Sequence, residues 1–266
     1  MKQRKTERII SKKANDIIHL GKNTAKDLDD TSIHEFRLAI KRLRSFLRLL
    51  AMNTPGKGPK LSADLLHLYH ISGHIRDARL QMRQLSASHT LLPAYMQHLH
   101  QKAALQEKQW RLHYSAKILK QLRSHTKAFV LYHLHADVLK HFLHKHLQDI
   151  DTIITSAIQS DDDLHSVRKK MKDMLFLWQL AEDKWKKGNK LFAPIPVNDL
   201  SGLASLIGDY NDQRIAVADM TIFASGDMDA KEKQAINALC DEGSRHLLRT
   251  KKLIIEQTTK FIASIQ

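Results

Sequence analysis

Residues Ser32 to Leu50 read "SIHEFRLAIKRLRSFLRLL", and their spacing decides the fold. Ile33, Phe36, Ile40, Leu43, Leu47 and Leu50 recur at three and four, the pattern of one buried helix face. His34, Arg37, Lys41, Arg44 and Arg48 follow the same spacing one residue on, about 100° around the axis. Arg42 flanks the two rows. The helix thus carries a core-facing stripe and, on its shoulder, a row of charge of one sign. Like charges at i,i+4 cost an isolated helix ~0.2–0.5 kcal/mol per pair, and an anion lying along the row reverses that sign. Arginine offers planar forks to phosphate oxygens, and lysine a mobile point charge.

The rest of the chain supports a polyanionic partner. Its 266 residues hold 43 Lys and Arg against 28 Asp and Glu, a net charge of +15. The excess lies in the first half: residues 1–133 hold 25 cations against 9 acids, residues 134–266 hold 18 against 19. Such an excess destabilises by self-repulsion and attracts polyanions. Seventeen histidines add charge that develops on acidification. A single cysteine, Cys240, excludes an intrachain disulfide and a thiolate metal cluster. No apolar run approaches the ~20 residues of a membrane span, and "MKQRKTERII" lacks the apolar core of a secretory signal. The expectation is a cytoplasmic protein with no membrane partner.

Helical spacing extends along the chain, and no alternating run of β-branched and aromatic residues predicts a strand. Pro55, Pro59, Pro93, Pro194 and Pro196 fall in expected connections or at a helix start. Eight helices are predicted, near 3–29, 31–51, 60–86, 92–127, 129–158, 162–188, 199–224 and 229–264. Thr31 or Ser32 is the expected cap of the second, with Glu35 at the capping-box distance from Ser32. Asp161 to Asp163 complement the dipole at the start of the sixth.

The chain also repeats itself. "DLHSVRKKMKDMLFLWQL", from Asp163 to Leu180, places His165, Arg168 and Lys172 under His34, Arg37 and Lys41 at a constant offset of 131. Lys169 stands beside them. Further on, "SGHIRDARL" from Ser72 lies over "IGDYNDQRI" from Ile207, matching Gly73, Asp77 and Arg79 to Gly208, Asp212 and Arg214 at an offset of 135. Two diverged four-helix units, residues 1–128 and 129–266 of one domain, account for both offsets.

These four segments resemble, in order, the signatures of the CHAD domain, the conserved histidine α-helical domain. The resemblance covers essentially the whole chain. It implies an all-α fold of two four-helix bundles related by a pseudo-two-fold axis, with a basic channel or cleft between them. It also implies binding of inorganic polyphosphate, in some members at polyphosphate granules. Carried over by position, His34, Arg37, Lys41, Arg42 and Arg44 serve the first half, with Arg76 from the third helix. His165, Arg168, Lys169 and Lys172 serve the second. Arg48 extends the first row, and Arg4, Lys12 and Lys13 of the first helix are candidates to flank it. Asp173 and Leu175 stand where the family usually has basic residues, and Asn211 stands opposite Arg76. The first copy is therefore expected to carry most of the binding. Phosphate, sulfate and nucleotides remain candidates for the same channel.

Other chemistry is weaker. His133, Asp137, His141 and His144 share a helical face, but no second helix offers a matching ligand pair, so neither metal nor cofactor is expected. Asp77 and Asp212, beside arginines, are expected to orient cations rather than act as bases. Lys117, Lys120 and Lys127, like Arg245, Arg249 and Lys252, read as solvated surface. There is no P-loop or phosphatase signature, nor the strand-borne acidic motif of the triphosphate tunnel domains that often precede CHAD domains. No catalytic residue is assigned. Nucleic acid, RNA or single-stranded DNA, is the main competing ligand, and phosphohydrolysis a remoter alternative. Non-specific single-strand binders stack bases on aromatic side chains, and aromatics are 6% of this chain with none in the basic rows.

Overall fold

The computed structural model describes residues 3–52, 59–87, 91–128, 136–156, 160–185 and 195–265. Among them are nine helices and no strand: α1 (Gln3–Asp27), α2 (Asp30–Ala51), α3 (Ala63–Ala87), α4 (Pro93–His113), α5 (Ala116–Ala128), α6 (Ala136–Thr155), α7 (Asp161–Trp185), α8 (Val197–Ala224) and α9 (Ala230–Ala263). The fold is all-α. None of the described helices is long and apolar enough to cross a membrane.

Two local expectations are corrected. The helix predicted over 92–127 is two helices, because Ser115 begins a new one. Its hydroxyl accepts from the Lys117 N–H at 3.1 Å, while the Tyr114 N–H closes the preceding turn onto the Trp110 carbonyl at 2.8 Å. A serine oxygen satisfies an amide that a fresh helix would leave without a partner. The cap of α2 is Asp29, not Thr31 or Ser32: its carboxylate accepts from both of their N–H groups at 2.9 Å. Leu28 just before it is buried with φ of 51°, a left-handed conformation that a leucine side chain disfavours. Burial of the side chain holds the turn there.

The chain divides into two compact units, Met1–Thr90 with Met96–Phe142, and Leu91–Tyr95 with Leu143–Gln266. In the first, α1 packs against α2 and α5, and both of these against α3. All six apolar residues of the α2 stripe are buried, each worth about 1.5–3 kcal/mol of transfer free energy. Trp110 meets Phe36 edge-on, with centroids 5.2 Å apart. In the second unit α8 packs against α7 and α9, and Lys170 Nζ of α7 reaches Asp149 Oδ2 of α6 at 2.5 Å. The first turn of α4 also belongs here: Ala94 and Tyr95 donate their N–H groups to the Glu232 carboxylate at 3.2 and 2.9 Å. An acid at a helix N-terminus satisfies orphan amides and complements the dipole.

Candidate anion-binding site

The α2 row is braced from below by α3. Arg37 Nη1 donates to the Tyr69 carbonyl and lies 3.4 Å from Ser72 Oγ. Its guanidinium carbon sits 4.4 Å from the centroid of the Tyr69 ring. Gly73 makes this possible. A Cβ there would come within 2.6 Å of Arg37 Nη1, so only glycine leaves the carbonyl one turn back open to a second donor. Arg44 approaches the same ring, 5.6 Å from its centroid. Cation–π contact and a carbonyl acceptor together set two arginines of the row in place.

The entry to α2 is clamped as well. Arg79 of α3 donates to the Leu28 carbonyl at 2.6 Å, to Asp30 at 2.8 Å and to Glu107 at 2.6 Å, and Arg83 also bonds Asp30. Arg79 is therefore committed to the scaffold. The acids that hold it are Asp30 and Glu107, which sequence pattern did not connect with it.

Both pairings recur in the second unit at the sequence offsets. Gly208 of α8 faces Arg168 of α7, where a Cβ would lie 3.1 Å from Nη2. Arg214 Nε stands 3.9 Å from Asp161, which also accepts from the Tyr210 hydroxyl at 2.6 Å and meets Lys251 at 3.4 Å. Those partners, the Tyr210 hydroxyl foremost, hold the Asp161 carboxyl below its ordinary range. Asp173 does not face the basic row. It is 2% exposed and lies 3.7 Å from His146 of α6, inside the unit.

The charged groups fall into distinct environments. His34 is exposed; partial burial first, then Arg76 and Lys41, push its imidazole below the ordinary value against the opposing pull of Glu35. That field ties Arg76 of α3 to the α2 row. His165 is depressed in the same way, by burial and then Arg168, Lys169 and Arg214. Half-buried Lys172 is lowered by burial and by Arg168. Arg48 Nη2 reaches Ser45 Oγ at 3.2 Å. Among the described residues Arg42, Arg44 and Arg76 form no ion pair. Arg42 and Lys12 are exposed, and no hydrogen bond or ion pair ties either of them to the row there. Lys13 is half-buried on α1; the Arg4 side chain lies outside the described residues, as do Lys127 and His133. Lys117, Lys120, Arg245, Arg249 and Lys252 are exposed, as are Asp137, His141 and His144. Among the described residues no cluster of three His, Cys, Asp or Glu is arranged to hold a metal ion.

One set of residues escaped the sequence pattern. His67, His70 and His74 recur at three and four on the exposed face of α3. Arg44 and Arg37 act on His70 across the helix pair. The signal was present in "HLYHISGH", but a search for lysine and arginine rows passes over it.

The CHAD domain family model matches residues 8–218. The chain belongs to the CHAD domain family. The match includes both basic rows, both glycines and both arginine–aspartate pairs. A crystal structure of the CHAD domain from the plant Ricinus communis has the same fold, with a TM-score of 0.70 at 14% identity, covering 99% of this chain and 91% of that one. Comparison with curated proteins gives no match.

Proposed function

We propose that this CHAD domain binds inorganic polyphosphate along its cationic rows, the α2 row foremost, without turning it over. One observation carries this most: Arg37 and Arg44 are gathered over one tyrosine ring, with Arg44, and Arg76 acting on His34 of the same row, outside any ion pair among the described residues. Arg44 and Arg76, which form no ion pair among the described residues, are stabilised by a ligand that brings phosphate oxygens to them. The recurrence of both pairings at the sequence offsets supports an internal duplication, and with it a weaker second row around Arg168 and Lys172.

Nucleic acid remains the second ligand class on charge alone. The aromatic nearest the row argues against base stacking: Tyr69 is 9% exposed and covered by two guanidinium groups. Association with polyphosphate granules in a cytoplasm is the setting this function suggests.

The test is titration of long-chain polyphosphate against the wild type and an Arg44→Glu, Arg76→Glu variant, with single-stranded RNA as competitor at equal phosphate concentration. Arg37 is left intact because reversing it would break the α2–α3 brace. The variant should lose at least tenfold in affinity. Wild-type affinity should fall by roughly 10³–10⁵ between 50 and 200 mM salt if about 6–10 charges are neutralised, by analogy with nucleic acid. Unchanged affinity in the variant overturns the site, preference for RNA overturns the ligand, and release of orthophosphate overturns the non-catalytic role.

A further inference from the structure

The α3 face described above stands beside the α2 row, and between Asp64 and Asp77 its exposed side chains are histidines rather than permanent cations. His67, His70 and His74 span two turns of one exposed face, and Tyr69, under the two arginines of α2, also touches the His70 ring with centroids 5.4 Å apart. We propose that His67, His70 and His74 form a second, proton-dependent wall for phosphate oxygens, which a bound polyanion itself charges. The proposal rests on the polyphosphate function above and adds to it the residues and the regulation of one side.

The charges around the stripe determine its sign. His70, at the centre, faces Arg44 and Arg37 from α2 and His67 and His74 on its own helix; with partial burial, they disfavour its charged form. His67 meets the His113 ring of α4 at 4.6 Å. On α4 the acid is Glu107, held by Arg79, and on α2 the acids are Asp30, held by Arg79 and Arg83, and Glu35, which acts on His34. The described residues of α5, which also packs on α3, bring Lys117 and Lys120, both exposed, and no acid. Acids stand only at the ends of the stripe, Asp64 one turn before His67 and Asp77 one turn after His74. In the free protein partial burial and then the surrounding cations disfavour the charged form of the central imidazole. Phosphate oxygens laid over Arg44 and Arg37 cancel that field and favour the imidazolium, which then donates to them. Binding takes up protons, and affinity rises as pH falls.

The experiment compares wild type with a His67→Gln, His70→Gln, His74→Gln variant, by calorimetric titration with long-chain polyphosphate at pH 8.0 and 6.0. Repeating it in two buffers of different ionisation enthalpy gives the protons taken up. Wild-type affinity should rise about tenfold per pH unit for each proton bound. The variant should show a clearly smaller ratio of affinities between the two pH values and a smaller proton uptake, whatever its affinity at pH 8.0. His34 and His165 stay in both proteins, so the difference belongs to α3. Equal pH ratios and equal uptake in the two proteins overturn this inference alone. Absence of binding at both pH values overturns the polyphosphate function and this inference with it.

Discussion

Replacing Gly73 by alanine isolates the α2–α3 brace. In a helix interior this change normally stabilises by about 0.5–1 kcal/mol, because glycine pays more backbone entropy on folding. Gly202 of α8, with nothing within 4 Å of an added Cβ, should show that ordinary gain. At Gly73 the new methyl would sit 2.6 Å from Arg37 Nη1, and the guanidinium must leave the Tyr69 carbonyl and ring. A charged hydrogen bond is worth about 1.5–3 kcal/mol and the cation–π contact about 0.5–1 kcal/mol. After the propensity gain, Gly73→Ala should cost about 1–3 kcal/mol. Urea unfolding followed by circular dichroism measures both variants, and their midpoints should move in opposite directions. Arg37→Lys supplies the coupling arm: it should cost clearly less when combined with Gly73→Ala, where the carbonyl contact is already gone. A Gly73→Ala midpoint at or above wild type would refute the brace.

Three further outcomes are expected. Arg79→Ala removes three donated bonds to Leu28, Asp30 and Glu107; with partial exposure of the partners, a loss of about 1–3 kcal/mol is expected. Hydrogen exchange at the Thr31 and Ser32 amides should quicken, and unaltered exchange and stability would count against the clamp. Asp161 is held ionised below its ordinary range, chiefly by the Tyr210 hydroxyl, so its contribution is present above the ordinary carboxylate value and lost as pH falls through the lowered one. The stability gap between wild type and Asp161→Asn should be full at pH 6 and close toward pH 3; a constant gap would reject it. The histidines His34 and His165 have depressed values as well. Their neutral forms fit the ligand-free fold, so that part of stability weakens as pH drops below about 6.5.

The helices and the α2 face were legible because burial imposes a period on side chains. Ile33, Phe36, Ile40, Leu43, Leu47 and Leu50 lie buried where their spacing puts them. Apart from the α3 histidines, what escaped was chemistry without a side-chain period. The succession Asp29, Asp30, Thr31, Ser32 offers several caps, and the choice among them follows from a left-handed leucine that no pattern marks. The break at Ser115 depends on one hydroxyl. The acceptor beneath Arg37 is a backbone carbonyl, whose only trace in the sequence is the glycine one turn later. Asp173 lies inside the unit beside His146 although Lys172 just before it belongs to the row, because one residue along a helix is a rotation of about 100°. The roles of the basic residues came through the family resemblance, which the match over residues 8–218 bears out as membership.

The tyrosine ring under two arginines has a consequence for how fast and how tightly the domain engages a ligand. Immobilising a long side chain on binding costs about 0.5–1.5 kcal/mol, and Arg37 and Arg44 have already met most of that cost in folding. The mutual repulsion of two guanidinium groups held over one ring is likewise present before any ligand arrives. Under the proposed function, a chain of phosphates would relieve that repulsion and order little, so the first unit would meet it preorganised. Long side chains without such a brace would still have to be ordered at each encounter, which favours the braced arginines of α2 as the place where a polyanion would first take hold.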